Sequence, residues 1–185
     1  TVSQAGAGKT ITATKTGSSE TGNSGSFAVN AGAFTKLQLL MPGEIAAPGS
    51  GSGKSGSPTA RTVGSAFTVT VNAVDANWNL VSSVTDTVGI TSSDNNATLP
   101  NNAALASGTQ TFSVTLKTAG TATVTAADIT DGTKPANLSP ATTVNAGAFT
   151  KLQLLMPGET ASAGSGTGKT GSPTARTAGT AFNVT

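Results

Sequence analysis

Short runs in which apolar and polar residues alternate recur along the chain, each ended by a cluster of Gly, Asn, Asp or Pro. A period of two marks a strand with one face buried, and such clusters mark the turns between strands. Leu37, Leu39 and Met41 alternate with Lys36 and Gln38, which predicts a first strand over 34–41. Phe67, Val69, Val71 and Ala73 alternate with Thr68, Thr70 and Asn72 and predict a second. Further strands are predicted near 84–91, 97–99, 111–116 with Phe112, Val114 and Leu116 inward, 122–126 and 141–144. Seven short strands at this spacing predict an all-β sandwich of two packed sheets.

The pattern also repeats on a longer scale. Residues 29–70 recur as residues 144–185, an offset of 115, and only eight of the 42 positions differ. Three of those eight exchange Ser for Thr, at 52/167, 55/170 and 65/180. A looser match joins Thr10-Ile11-Thr12-Ala13 to Thr123-Val124-Thr125-Ala126. The expected organisation is therefore 1–30 as the C-terminal strands of one repeat, 31–145 as a complete repeat, and 146–185 as the N-terminal strands of a third. Solenoid units run from about 20 to 50 residues, so this longer period predicts independently folding domains strung in tandem.

Composition narrows the function classes. Thr and Ser supply 54 residues, His, Cys and Tyr are absent, and there is one Trp. General acid–base work near neutral pH leans on His and covalent catalysis often on Cys, so the chain is not expected to be an enzyme. Thr and Val favour strands, in line with the alternation. Only 10% of residues are charged and the net charge is +2, far from the dense basic stripe that a nucleic acid requires. The longest apolar run, near 37–41, is a strand's length, so no membrane insertion is expected. The first residue is Thr1, and the chain reads as an internal fragment.

Three stretches carry a family resemblance: AFTVTVNAVDANWNLV at 66–81, TVGITSSDNNATLP at 87–100 and GTQTFSVTLKTAGTATVTAAD at 108–128. In order they give a Val-rich strand, an Asp-Ala-Asn-x-Asn turn, a Ser-Ser-Asp turn, and a Gly-x-x-x-Phe strand leading to Thr-Ala-Gly. This resembles the bacterial immunoglobulin-like repeats of invasin-type adhesins and other large surface proteins. The resemblance implies seven-stranded immunoglobulin-like β-sandwich modules of about 115 residues, an extracellular or cell-surface location, and neighbouring repeats of the same chain as partners. Two departures stand out: Trp78 occupies a turn position where the family commonly has Gly, and 42–65 is a long Gly/Ser/Pro-rich insertion.

Several residues invite a functional reading. Gly51-Ser52-Gly53-Lys54-Ser55 and its copy at 166–170 look like part of a phosphate-binding loop. That loop needs a Gly where Pro48 and Ala163 stand and a helix where Pro58 follows, so the insertion reads instead as a flexible or edge-covering surface loop. Asp75, Asn77 and Asn79 offer oxygens at alternate positions, as a calcium ion prefers, but the same residues also build an ordinary Asx turn. No other cofactor is implied. In an immunoglobulin-like topology Asp75 lies at the same end as Asp128 and Asp131, and the opposite end is expected to gather Lys54, Arg61 and Lys117. The acidic end of one module then faces the basic end of its predecessor. Trp78 is a junction anchor, a lateral contact to another chain, or a ring lying on its own module. Ser and Thr beside Pro in the insertion also resemble O-glycan acceptors. The leading functional expectation is a spacer or stalk in a giant extracellular adhesin or surface filament protein. Its alternatives are a self-assembling filament subunit, with other copies of itself held through 42–65 and Trp78, and a glycan- or calcium-binding adhesive module.

Overall fold

A computed structural model describes all 185 residues. It contains strands and turns and no helix, as the alternation and the β-favouring composition require. Residues 1–30 carry β1 (Gly6–Lys9), β2 (Thr12–Thr14), β3 (Thr21–Asn23) and β4 (Phe27–Val29). Antiparallel pairing of β2 with β3 and of β1 with β4 makes this segment one long hairpin, interrupted at its middle.

The central region holds β5 (Lys36–Leu40), β6 (Glu44–Ala46), β7 (Lys54–Gly56), β8 (Arg61–Thr62), β9 (Ala66–Val74) and β10 (Thr87–Ser92). It continues with β11 (Ala103–Ala104), β12 (Thr109–Thr115), β13 (Gly120–Ala122), β14 (Val124–Asp128), β15 (Asn137–Leu138) and β16 (Thr142–Asn145). One sheet has the order β12-β9-β5. The facing layer has β11-β10-β14-β15 and, past an interruption at Thr123 and Ser139, β13-β16-β8. Across the break the register shifts by one residue, from Ala122 opposite Thr142 to Thr125 opposite Leu138, with Pro140, which has no N–H, in the extra length, and the Val124 N–H donates there to Ser139 Oγ at 3.0 Å. β8 joins β16 in parallel, with Arg61 opposite Val144.

A cluster of 17 buried apolar residues lies between the layers, and all of it falls within 37–144. Leu37, Leu39, Phe67, Val69, Val71, Phe112 and Val114 come from the first sheet; Val88, Ile90, Val124, Ala126 and Val144 come from the second. Full burial of one such side chain contributes about 1.5–3 kcal/mol, so this cluster dominates the stability of the fold. The inward positions read from the alternation are the ones buried here.

The strand boundaries differ in instructive ways. The strand expected over 97–99 is reduced to a single bridge, Thr98 to Thr115, with N–H···O distances of 2.8 and 3.0 Å. The preceding turn at Asp94 and the following Pro100 leave no length for more. The strand expected over 122–126 is split at Thr123, whose N–H donates to Ser93 Oγ at 2.9 Å and whose carbonyl accepts the Ser93 N–H at 3.0 Å. The insertion at 42–65 holds β6, β7 and β8. In 146–185 the expected pair of long strands is absent, and only the hairpin of β17 (Glu159–Ala161) and β18 (Lys169–Gly171) forms. Leu152 is 88% exposed there, whereas its counterpart Leu37 is fully buried, because no facing sheet covers it.

Candidate functional site

The first half of the insertion folds back along β5, the edge strand of its sheet. Glu44, whose side chain is 2% exposed, accepts the Met41 N–H at 2.9 Å and pairs with Lys54 Nζ at 2.9 Å. Lys54 Nζ also donates to the Leu39 carbonyl at 3.2 Å, and the Leu39 N–H donates to Asn137 Oδ1 at 2.9 Å. Side chains thus take up both the N–H and the carbonyl that Leu39 would present to a foreign strand, which blunts the edge. A polar row ties the hairpin to the sheet beneath. Thr109 Oγ1 donates to Asn72 Oδ1 at 2.7 Å, Asn72 Nδ2 to Gln38 Oε1 at 3.0 Å, and Gln38 Nε2 to the Gly53 carbonyl at 2.7 Å. These three side chains stand opposite one another in the register of β12, β9 and β5.

The hairpin tip reaches the turn after β9. Trp78 has φ 68°, the left-handed conformation for which Gly is the usual choice, so the substitution noticed in the sequence sits at a position that strains a side-chain-bearing residue. The indole lies half-buried against the hairpin tip. Its Nε1–H donates to the Gly51 carbonyl at 3.3 Å, and Lys36 Nζ sits 3.6 Å from the ring centroid. Gly53 lies so close that a Cβ there would collide with the ring.

Asp75 organises the same turn. Its Oδ1 accepts the N–H groups of Asn77 at 2.8 Å and Asn79 at 2.9 Å, and its Oδ2 accepts the Gly32 N–H at 2.8 Å and Asn79 Nδ2 at 2.9 Å. Burial acts to raise the Asp75 pKa, but these donors outweigh it and hold the carboxyl below its ordinary value. Asn79 therefore offers Asp75 its amide nitrogen, and its oxygen accepts the Ala5 N–H at 2.7 Å. Asp75, Asn77 and Asn79 form the Asx turn, with the one carboxylate accepting the backbone N–H of both asparagines.

The remaining residues singled out in the sequence sort differently. Asp128 Oδ1 accepts the N–H groups of Thr130 and Asp131, and Asp131 pairs with Lys134 at 3.4 Å. Lys134 Nζ in turn sits 5.1 Å from the Phe34 ring, two residues along the chain from the Gly32 that bonds Asp75. Burial, followed by the charges of Asp128 and Asp131, pushes the Asp86 pKa up. Arg61 lies over Phe67 at 5.4 Å beside β16. Lys54 is not at the opposite end with Arg61. The hairpin doubles back, so its lysine lies beside Leu39 and its tip at Trp78, and the expected basic end loses that charge. The lysine of the phosphate-loop look-alike is engaged by Glu44 and a backbone carbonyl.

Sequence reasoning passed over Glu44, Gln38 and Asp94. Gln38 alternates as an outward residue but is buried under the hairpin. Asp94 accepts the N–H groups of Lys117 at 2.6 Å, Thr118 at 3.0 Å and Asn96 at 3.0 Å. The usable signal for the hairpin was its second copy. Lys169 pairs with Glu159 at 2.7 Å, Gln153 Nε2 donates to the Gly168 carbonyl at 2.7 Å, and Arg176 lies 5.2 Å from Phe182, as in the first copy, whereas the bond from Lys54 to the Leu39 carbonyl has no counterpart at Lys169. A groove of about 430 Å³ lined by Lys151, Gln153, Gly168 and Lys169 lies in the second copy where Trp78 lies in the first.

No protein-family model and no curated protein matches the chain. Solved structures share parts of it at low similarity. A β-glucuronidase of Parabacteroides merdae is 9% identical with a TM-score of 0.43, over 68% of this chain and 15% of that one. Glycosyl hydrolase family 2 members from Bacteroides cellulosilyticus are 16% and 18% identical with TM-scores of 0.44, over 67% and 66% of this chain. The chain spans 16% and 17% of their lengths.

Proposed function

We propose that the chain is a structural repeat, a spacer or stalk segment of an extracellular bacterial adhesin or surface filament protein, built from tandem immunoglobulin-like modules and carrying no catalytic activity. The observation that carries this reading is the recurrence, at one fixed offset, of the sequence and of most hydrogen bonds of the hairpin within the insertion. Bonds repeated in successive copies suit a protein whose length matters more than any one surface. The core within 37–144 supports a module spanning 31–145. Residues 1–30 support the tail of a preceding module, because their pairing of β1 with β4 and β2 with β3 matches that of β13 with β16 and β14 with β15. The partition into one sheet of first, second and late strands and another joined by the last strand supports the immunoglobulin-like topology.

The test is length. Chains with two, four and eight repeats, imaged by electron microscopy, are expected to lengthen linearly by roughly 35–40 Å per repeat, the reach of strands rising about 3.3 Å per residue. Globular particles whose longest dimension does not grow with repeat number would sink the reading.

A further inference from the structure

Two places in the chain bring a hairpin tip against the segment that precedes a β strand, and they are the same contact seen twice. Gly6 opens β1 opposite Val29, and Gly120 opens β13 opposite Val144. Val29 and Val144 are one repeat position, so Ser3, Gln4 and Ala5 are the counterparts of Lys117, Thr118 and Ala119. On the other side, Gly49 and Gly164 are also one repeat position, each with a left-handed φ, 80° and 79°. A Cβ on Gly49 would lie 3.2 Å from Ser3 Oγ and 3.4 Å from Gln4 Cβ. A Cβ on Gly164 would lie 2.9 Å from the Lys117 carbonyl and collide with Thr118 Oγ1. Glycine is needed at this tip twice over, for the turn and for the close approach.

We infer that this contact is the joint between successive repeats: the tip around Gly49, with Asn79, is a socket for the turn around Lys117 and Thr118 of the preceding repeat. Directed hydrogen bonds fix its angle. At the first joint Asn79 Nδ2 donates to the Ser3 carbonyl at 2.9 Å, and the Ala5 N–H donates back to Asn79 Oδ1 at 2.7 Å. At the second, Asn96 Nδ2 donates to the Ala163 carbonyl at 3.1 Å. The counterpart of Asn96 at the first joint and of Asn79 at the second fall outside the 185 residues, so the full joint is the sum of both sets.

Each half rests on a buried aspartate. Asp75 holds Asn79 and Gly32 on the following repeat. Asp94 holds Lys117, Thr118 and Asn96 on the preceding one. The two Asp-containing turns that mark the repeat in sequence thus brace the two faces of the joint. A neighbour tethered by a few residues meets its socket at an effective concentration of order millimolar, so a few bonds suffice to hold it. The array is then a rod with a set angle at every joint rather than a flexible string.

This inference rests on the tandem-repeat reading, and its test is separate from the length measurement. The chain has no Cys, so cysteines at exposed Ser113 and Thr170 place two spin labels across the second joint. The expected result is one narrow distance distribution, unchanged on dilution with unlabelled chain, that widens at least twofold in Gly164→Val and in Asn96→Asp. Asn96→Asp lies outside the hairpin and reverses the polarity of the bond to Ala163, so it decides even if Gly164→Val distorts the tip. A broad distribution in the parent, a distance lost on dilution, or a narrow one that neither substitution alters overturns the joint. All three leave a linear growth of length with repeat number untouched.

Discussion

At Trp78 backbone and side chain pull in opposite directions. A left-handed conformation costs an L-residue about 1–2 kcal/mol, which glycine avoids. Against this, the indole covers Gly53 and takes a cation–π contact from Lys36, the latter contributing about 0.5–1 kcal/mol at an exposed site. Trp78→Ala keeps the strain and loses the cover, and is expected to cost roughly 1–3 kcal/mol, less than the ~3–5 of a fully buried Trp. Trp78→Gly loses the same cover but sheds the strain, so urea unfolding should find it about 1 kcal/mol more stable than Trp78→Ala. Carboxylates supply a second residue-level prediction. Asp94 is buried, but donors from Lys117 and Thr118 hold its pKa below the ordinary 3.8; its contribution is present above that value and lost as pH falls through the folded-state value. Asp86 has the opposite sign, since burial and Asp128 raise its pKa: its contribution is present below 3.8 and lost as pH rises through the folded-state value. Melting curves should show Asp94→Asn lowering Tm near pH 7 and much less near pH 2. Asp86→Asn should raise Tm near pH 7 and leave it unchanged near pH 2. The left-handed position of Trp78 was legible as a departure from a glycine; the buried role of Asp94 was not, since a Ser-Ser-Asp turn in sequence carries no mark of what bonds to it.

The element that most distinguishes the repeat is the hairpin of β6 and β7. Sequence reading placed the long strands and their inward faces, because alternation over β5, β9 and β12 records burial directly. It left the insertion open between a flexible and an edge-covering loop, because Gly- and Ser-rich residues encode no period. What fixes the hairpin is a pair of charges ten positions apart and an edge-strand glutamine that ends a polar row running across three strands, and neither is a local pattern. Glu44→Ala leaves Lys54 without its partner and the Met41 N–H without an acceptor. Loss of one member of a largely buried pair costs about 3–5 kcal/mol, which exceeds what a short hairpin can bear. Hydrogen exchange should therefore show the amides of β6 and β7 opening in Glu44→Ala while those of β9 and β12 stay protected. Uniform loss of protection across both regions would show the hairpin to be integral to the core.

For the whole molecule, the contrast between the central region and its flanks sets the behaviour. Phe149, Leu152 and Leu154 are exposed at 80%, 88% and 59%, although the same positions in the central repeat pack on or within the core. Contiguous apolar surface of this kind binds partners or aggregates. If 146–185 opens a further module, as proposed, a chain extended by residues equivalent to 71–145 should bury these positions, lowering the fluorescence of an apolar dye bound to the protein and reducing self-association in sedimentation. Dye binding unchanged by the extension would mean that 146–185 is not the start of a module. Repeat organisation was the most legible feature in the sequence, since self-identity needs no physics to detect. The doubling-back of the hairpin, which carries Lys54 away from Arg61, was invisible at this scale because charge alone does not say which way a loop runs.

The second hairpin closes its Glu159–Lys169 pair although the strand it would guard has no facing sheet. Its charge pair lies within the hairpin itself and needs none of the residues that come later in the chain. A polypeptide emerging from its N-terminus would complete each edge guard before the second long strand of that repeat had come into being. Near-identical neighbours otherwise invite a strand of one repeat to settle in the sheet of the next. Early closure of that pair would help to keep each strand within its own repeat.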